Sequence, residues 1–221
     1  MSTAPHGPVA GSPGPMPTHV FGGTLVPSWM VPVFYRPIGR RLAAGGPVTY
    51  HAMAPYGGLG RTDRIVDSYL PLLERTAAAG GRVRLAGHSL GGVVAWALAQ
   101  EYPEVVDTVE VWAAPLRGTS IARFLHNLGA EARFLSPGSR WLRRYDRPLS
   151  GPVGRSVYTA CDALVLPVRE SCYMEGERVA NHFLTPVPLP FGRRRPAERV
   201  HTGLADHILL PRHRGMLAAV A

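Results

Sequence analysis

One five-residue run, Gly87-His88-Ser89-Leu90-Gly91, restricts what this chain can fold into more than any other part of its sequence. The run is entered from Val83-Arg84-Leu85-Ala86, whose apolar residues alternate, and it leaves into Gly92-Val93-Val94-Ala95-Trp96-Ala97-Leu98-Ala99-Gln100, which is patterned as a helix. A strand, a sharp turn carrying one serine and a helix together make a nucleophile elbow. Small residues two before and two after Ser89 matter because the turn is crowded, and bulky neighbours there would collide with the adjoining strand and helix. The turn sets the serine hydroxyl at the carboxyl edge of a sheet, beside the positive end of the next helix, with the Leu90 amide able to face an oxyanion. A plain glycine-rich turn accounts for the glycines but not for the switch from two-residue to helical patterning.

The rest of the composition sets bounds on this reading. With 221 residues and 46% apolar content, the chain is expected to form one domain with a substantial core and no need of staples. Its formal net charge is +9, and all 24 basic residues are arginine. The arginines are scattered along the sequence without an aromatic-interleaved basic motif, so no nucleic-acid partner is expected. The densest cluster, Arg193-Arg194-Arg195, reads as solvated surface in a loop. Cys161 and Cys172 are too few for a tetrahedral zinc site and lack C-x-x-C or H-E-x-x-H company; they pair only in an oxidising compartment and otherwise stay free thiols. No metal or organic cofactor is implied. Residues 1–17, rich in Pro, Gly, Ser and Ala, read as a disordered leader rather than a signal peptide. No apolar run approaches the roughly 18 residues that span a bilayer. The expectation is therefore a soluble, cytoplasmic protein without a membrane span.

Beyond the leader, short apolar strands alternate with helical patterns, which predicts a mainly parallel sheet of about six strands flanked by helices. The expected strands are 18–23, 47–52, 82–88, 106–113, 155–160 and 198–202, and the expected helices 34–43, 63–78, 90–101 and about 207–220. Residues 116–154 form a lid-like insertion after the fourth strand, with its apolar and aromatic side chains either packing as ordinary core or roofing a pocket. Gly57-Gly58-Leu59-Gly60 does not make a dinucleotide fingerprint, because Asp63 stands where the third glycine belongs and no strand directly precedes it.

From Thr18 to about Val220 the chain resembles the α/β-hydrolase family, and within it the compact bacterial triacylglycerol-lipase and esterase group. The likeness rests on Arg82 to Gly92, including the histidine before the serine, and on Val109-Glu110-Val111-Trp112-Ala113-Ala114-Pro115-Leu116-Arg117-Gly118-Thr119, similar to the stretch ending Pro-x-x-Gly-Thr in these lipases. The resemblance implies an α/β-hydrolase fold and a nucleophile, an acid and a histidine in that chain order. A serine hydroxyl needs a base, and the base needs a carboxylate to fix its tautomer. Asp162 stands just past an expected strand, in a stretch similar to the family's acid loop, whereas Asp107 precedes its strand and Asp146 lies in the insertion. His207 follows the last expected strand and best fits the base, ahead of His201, His182, His213 and His126. The backbone of Leu90 supplies one oxyanion donor. The other falls on Thr24, with Leu25 as the alternative, because Gly22-Gly23-Thr24 stands where the family usually carries His-Gly and then the donor.

These readings predict a serine hydrolase that cleaves carboxylic esters through an acyl-enzyme, acting on a small-molecule ester or acyl substrate. A thioesterase or acyltransferase is the alternative, working on a carrier-bound or secondary-metabolite acyl group; a basic surface suits an acidic acyl carrier protein. A non-catalytic protein on the same scaffold is the third reading, since folds host many functions.

Overall fold

The computed structural model describes residues 15–24, 26–53, 64–125, 127, 129–186 and 195–213. The Gly57–Gly60 run, most of the leader, Leu25, His126, Arg193 and Arg194 lie outside them. The strands are β1 (Thr18–Phe21), β2 (Val48–His51), β3 (Val83–His88), β4 (Val106–Trp112), β5 (Val153–Thr159), β6 (Val179–Thr185) and β7 (Glu198–Thr202). They form one seven-stranded sheet in the order β2-β1-β3-β4-β5-β6-β7. Every pairing is parallel. Parallel neighbours need crossover connections, and these place helices on both faces of the sheet.

Seven strands replace the six expected, and the added one is β6. Its sequence, Val-Ala-Asn-His-Phe-Leu-Thr, carries Asn181 and His182 at its centre, which hides the apolar pattern of a buried strand. Both residues are buried with partners close by. The Asn181 amide exchanges hydrogen bonds with the backbone of Met174 at 2.9 Å each way. The His182 ring meets His201 at 3.0 Å.

The helices are α1 (Val31–Phe34), α2 (Arg36–Leu42), α3 (Leu70–Ala78), α4 (Leu90–Glu101), α5 (Ser120–Phe124), α6 (Ala130–Phe134), α7 (Arg140–Tyr145) and α8 (Val168–Cys172). The helix expected over 34–43 is thus two pieces hinged at the fully buried Tyr35. The helix expected from 63 begins as a 3-10 turn, Asp67–Tyr69, before α3. Of the last expected helix, the described residues make a turn at 207–209 and a 3-10 turn at Leu210–Arg212, and the remainder lies outside them.

Alternation along the central strands divides the core. Val83 and Leu85 of β3, with Val109 and Val111 of β4, pack with α4. Ala86 and Trp112 face the other way, onto Tyr35, Ile38 and Leu42. Residues Leu90 to Gln100 of α4 are buried on every side, so the sheet cannot be its only cover. Residues in and just before α3, among them Ile65, Val66 and Leu73, share the rest with the insertion. Tyr145 of α7 packs edge-on to Trp96 with ring centroids 6.3 Å apart, and its carbonyl accepts from the Gln100 amide at 2.8 Å.

On the α1/α2 face, Glu110 of β4 is 5% exposed and pairs with Arg155 of β5 at 3.1 Å. Its second carboxylate oxygen is buried without a partner. Burial raises this carboxyl from 4.5 to about 7, the two arginines Arg155 and Arg84 only partly opposing the shift. A native pKa above the unfolded one favours folding at low pH, and that contribution is lost as pH rises through about 7. Glu110→Gln is therefore expected to gain stability relative to the wild type as pH rises from about 5 to about 8, by on the order of 1–3 kcal/mol. Thermal melts across that range check it, and a gap that does not change with pH counts against it.

Candidate active site

The turn after β3 is set by backbones that pass too close for side chains. A Cβ on Gly91 would lie 2.3 Å from the Gly22 carbonyl oxygen and 2.4 Å from that of Phe21. One on Gly87 would lie 2.3 Å from the Gly91 carbonyl oxygen. These contacts let α4 start directly beneath the carboxyl end of β1. Ser89 takes up the turn with φ 54° and ψ −124°, a conformation non-glycine residues rarely adopt. Its N–H is held by the Trp112 carbonyl at 2.9 Å.

Three of the sequence-predicted residues meet there. Ser89 Oγ lies 3.0 Å from His207 Nε2. His207 Nδ1 lies 2.7 Å from Asp162 Oδ2. A carboxylate only accepts, so Nδ1 carries the ring proton and donates it to Asp162, which leaves Nε2 bare to accept from the serine hydroxyl. The other Asp162 oxygen accepts from the backbone N–H groups of Leu164 and Val165 at 2.8 and 2.9 Å. The acid loop that follows β5 is tied to the His207 loop by the Thr159 hydroxyl, which donates to the Ala205 carbonyl at 2.7 Å. Asp206 steadies the other side of His207, accepting from the Leu209 N–H at 2.7 Å.

The other candidate bases sit elsewhere. His182 and His201 pair with each other in β6 and β7, stacked with ring centroids 5.2 Å apart. His213 closes the described part of the chain, and His126 is outside it. Asp107 pairs with Arg82 at 2.9 Å and Asp146 with Arg117 at 3.1 Å.

Leu90 opens α4, and the N–H groups of a first helical turn have no partner within the helix. Thr24 borders the same cavity as Ser89, while its alternative Leu25 lies outside the described residues. The Thr24 hydroxyl donates to the Glu131 carboxylate of α6, a contact that joins the loop after β1 to the insertion.

The cavity in front of Ser89 has a volume of about 690 Å³. Val26 and Met30 wall one side, Ile121, Leu125 and Leu135 of the insertion another, and Leu164 a third. Among its described lining residues Glu131 is the one carboxylate, and no arginine reaches it. Within residues 116–154, α7 packs on α4 while α5 and α6 wall the cavity. Among the described residues, no group of three or more His, Cys, Asp or Glu is placed to hold a metal ion, and Cys161 and Cys172 are free thiols. No helix among them is long and apolar enough to cross a membrane.

Two neighbours of the site carry no sequence motif. Tyr35 lies 53 residues from the His88 ring it meets at 2.9 Å. Glu131 is 107 residues from Thr24. The histidine inside the elbow motif is the one sequence signal that points toward either of them.

No protein-family model matches the chain, and no curated protein does. Solved structures do. Lipase B of Aspergillus fumigatus superposes with a TM-score of 0.63 at 17% identity, over 77% of this chain and 44% of that one. Alpha/beta hydrolase domain-containing protein 10 from mouse gives 0.53 at 16% identity, over 92% and 86%. A carboxylesterase from the thaumarchaeon Nitrososphaera gargenis gives 0.51 at 16% identity, over 96% and 93%. The chain therefore has the α/β-hydrolase fold, and it spans less than half the length of the Aspergillus lipase.

Backbone closeness at the elbow is directly testable. Gly91→Ala places a methyl group against two carbonyl oxygens that cannot rotate away, so it is expected to lose about 1–3 kcal/mol of stability. Gly81→Ala, whose Cβ would meet its nearest atom, in Thr76, at 3.4 Å, serves as the control and should stay within about 0.5 kcal/mol of wild type. Equal melting temperatures for the two variants would contradict the steric account.

Proposed function

We propose that this protein is a serine hydrolase that cleaves carboxylic esters with an apolar acyl part. One observation carries the reading: Ser89, His207 and Asp162 form a continuous hydrogen-bonded chain at the floor of an apolar cavity. In the proposed reaction Ser89 Oγ attacks the ester carbonyl carbon while His207 Nε2 takes the hydroxyl proton. Asp162 stabilises the resulting imidazolium and holds its ring in place. The Leu90 and Thr24 N–H groups receive the oxyanion. His207 then gives its proton to the departing alcohol, and water, deprotonated by the same histidine, releases the acid.

The surroundings favour an apolar substrate. The exposed large apolar side chains among the described residues, Trp29, Val33, Phe124, Leu164, Leu166, Leu204, Ile208 and Leu209, all belong to segments that follow the carboxyl end of a strand. Leu164 and Ile208 also line the cavity, at 49% and 55% exposure. The lipase and carboxylesterase among the structural neighbours agree with an ester substrate.

A fluorophosphonate probe is expected to label the wild type and not Ser89→Ala; equal labelling of the two would overturn the role of Ser89. Asp162→Asn should lower kcat by about three to four orders of magnitude, the cost of presenting the wrong histidine tautomer. Nitrophenyl esters from acetate to palmitate, run beside the matching acyl thioesters, measure the substrate class. Turnover rising with acyl length supports the reading, and turnover of thioesters alone would replace it with the thioesterase alternative.

A further inference from the structure

His88 is a buried polar group at the site that the proposed reaction does not use. Its ring is wedged between the loop after β1 and the loop after β7. His88 Nε2 lies 2.8 Å from the His207 backbone carbonyl oxygen, an atom that can only accept, so Nε2 carries a proton and donates it. Complete burial and the neighbouring His207 ring, 4.9 Å away between centroids, push His88 down to about 3, which keeps it neutral. A neutral ring has one N–H, so Nδ1 is bare and must accept.

Its partner is the Tyr35 hydroxyl at 2.9 Å. Burial raises Tyr35, which keeps the phenol protonated and able to donate. The same hydroxyl oxygen accepts from the Gly23 N–H at 2.8 Å. Every donor and acceptor is thereby fixed in direction, from the Gly23 N–H through Tyr35 and His88 to the His207 carbonyl. Gly23 immediately precedes Thr24, the candidate oxyanion donor. A Cβ on Gly23 would stand 3.0 Å from His88 Nδ1, so the glycine is what lets the loop close down on the ring.

We propose that Tyr35 and His88 are positioning residues that fix the Thr24 oxyanion donor and the His207 base at their distances from Ser89 through one directed hydrogen-bond relay. The proposal rests on the serine-hydrolase reading above. His88 is the residue next to Ser89, so the two loops are referenced to the nucleophile itself. Loosening the relay leaves the cavity walls intact, so it affects the transition state more than substrate binding. Satisfied buried networks of this kind lose their geometry when one member is removed.

Tyr35→Phe removes the relay oxygen and nothing else. With active enzyme counted by fluorophosphonate titration, kcat on a nitrophenyl ester should fall about tenfold or more, as for other partners one step removed from the reacting groups, while KM stays within twofold. His88→Gln keeps a donor within reach of the His207 carbonyl, and His88→Leu keeps none. The expected order of kcat is wild type, then His88→Gln, then His88→Leu, whatever the order of melting temperatures. A Tyr35→Phe enzyme within twofold of wild-type kcat, or His88→Gln no better than His88→Leu, would overturn the relay. A wild type that neither labels nor turns over esters would overturn the hydrolase reading and the relay with it.

Discussion

Everything in this molecule is arranged around the approach of α4 to the carboxyl end of β1. Had Gly91 a side chain, its Cβ would sit 2.3 Å from a carbonyl oxygen of the neighbouring strand's loop. With no side chain there, the helix begins immediately under the sheet edge, directly after Ser89. Gly92 extends the same closeness toward the segment after β4, where its Cβ would meet that of Ala114 at 2.6 Å. The positive φ of Ser89 is a consequence: the chain must reverse within one residue to pass from β3 into α4. Energy stored in that turn is held by an α4 that is buried on all sides, so the turn cannot relax without exposing apolar surface.

Polar ties then bring distant loops to the turn. The acid loop donates two N–H groups to its own Asp162 and holds the insertion as well, for the Leu164 carbonyl accepts from the Thr119 hydroxyl at 2.9 Å and the Leu166 N–H donates back to it at 3.0 Å. The His207 loop is held from one side by Thr159 and from the other by His88. Most of these bonds end on backbone atoms, so they fix loop paths rather than single rotamers. A buried carboxylate is costly to desolvate, and Asp162 is 3% exposed. Its two N–H donors and His207 offset that cost and also orient it.

The parts of this arrangement that were legible in the sequence are those encoded locally. Alternation followed by helical patterning marks β3 and α4, and glycines two before and two after Ser89 mark the turn, because each of these depends on residues within a few positions. Asp162 and His207 could be nominated from chain order and from their places just past strands. β6 was not legible, because Asn181 and His182 acquire their partners only from Met174 and from His201 across the sheet. The break between α1 and α2 does have a local mark, since Pro37 lacks the N–H a continuous helix would use, but the partners of the Tyr35 hydroxyl, His88 and the Gly23 N–H, do not. Long-range hydrogen bonds leave no periodic trace, and they account for most of what the sequence kept back.

The apolar cavity and the buried polar chain behind it reinforce each other. Val26, Met30, Ile121 and Leu135 surround the space before Ser89 with apolar side chains, so each fixed dipole there acts in a medium less polarisable than bulk water. In the proposed reaction the oxyanion then gains more from the Leu90 and Thr24 N–H groups, and the imidazolium of His207 more from Asp162, than either would in solution. The same walls would make an unpaired charge expensive, which is why the one carboxylate on the lining, Glu131, is engaged by the Thr24 hydroxyl rather than left facing the cavity alone. That engagement places a segment of the insertion directly against the loop after β1. The insertion is therefore built into the electrostatics of the site and not only into its shape, because α6 cannot move away without breaking the contact between Thr24 and Glu131.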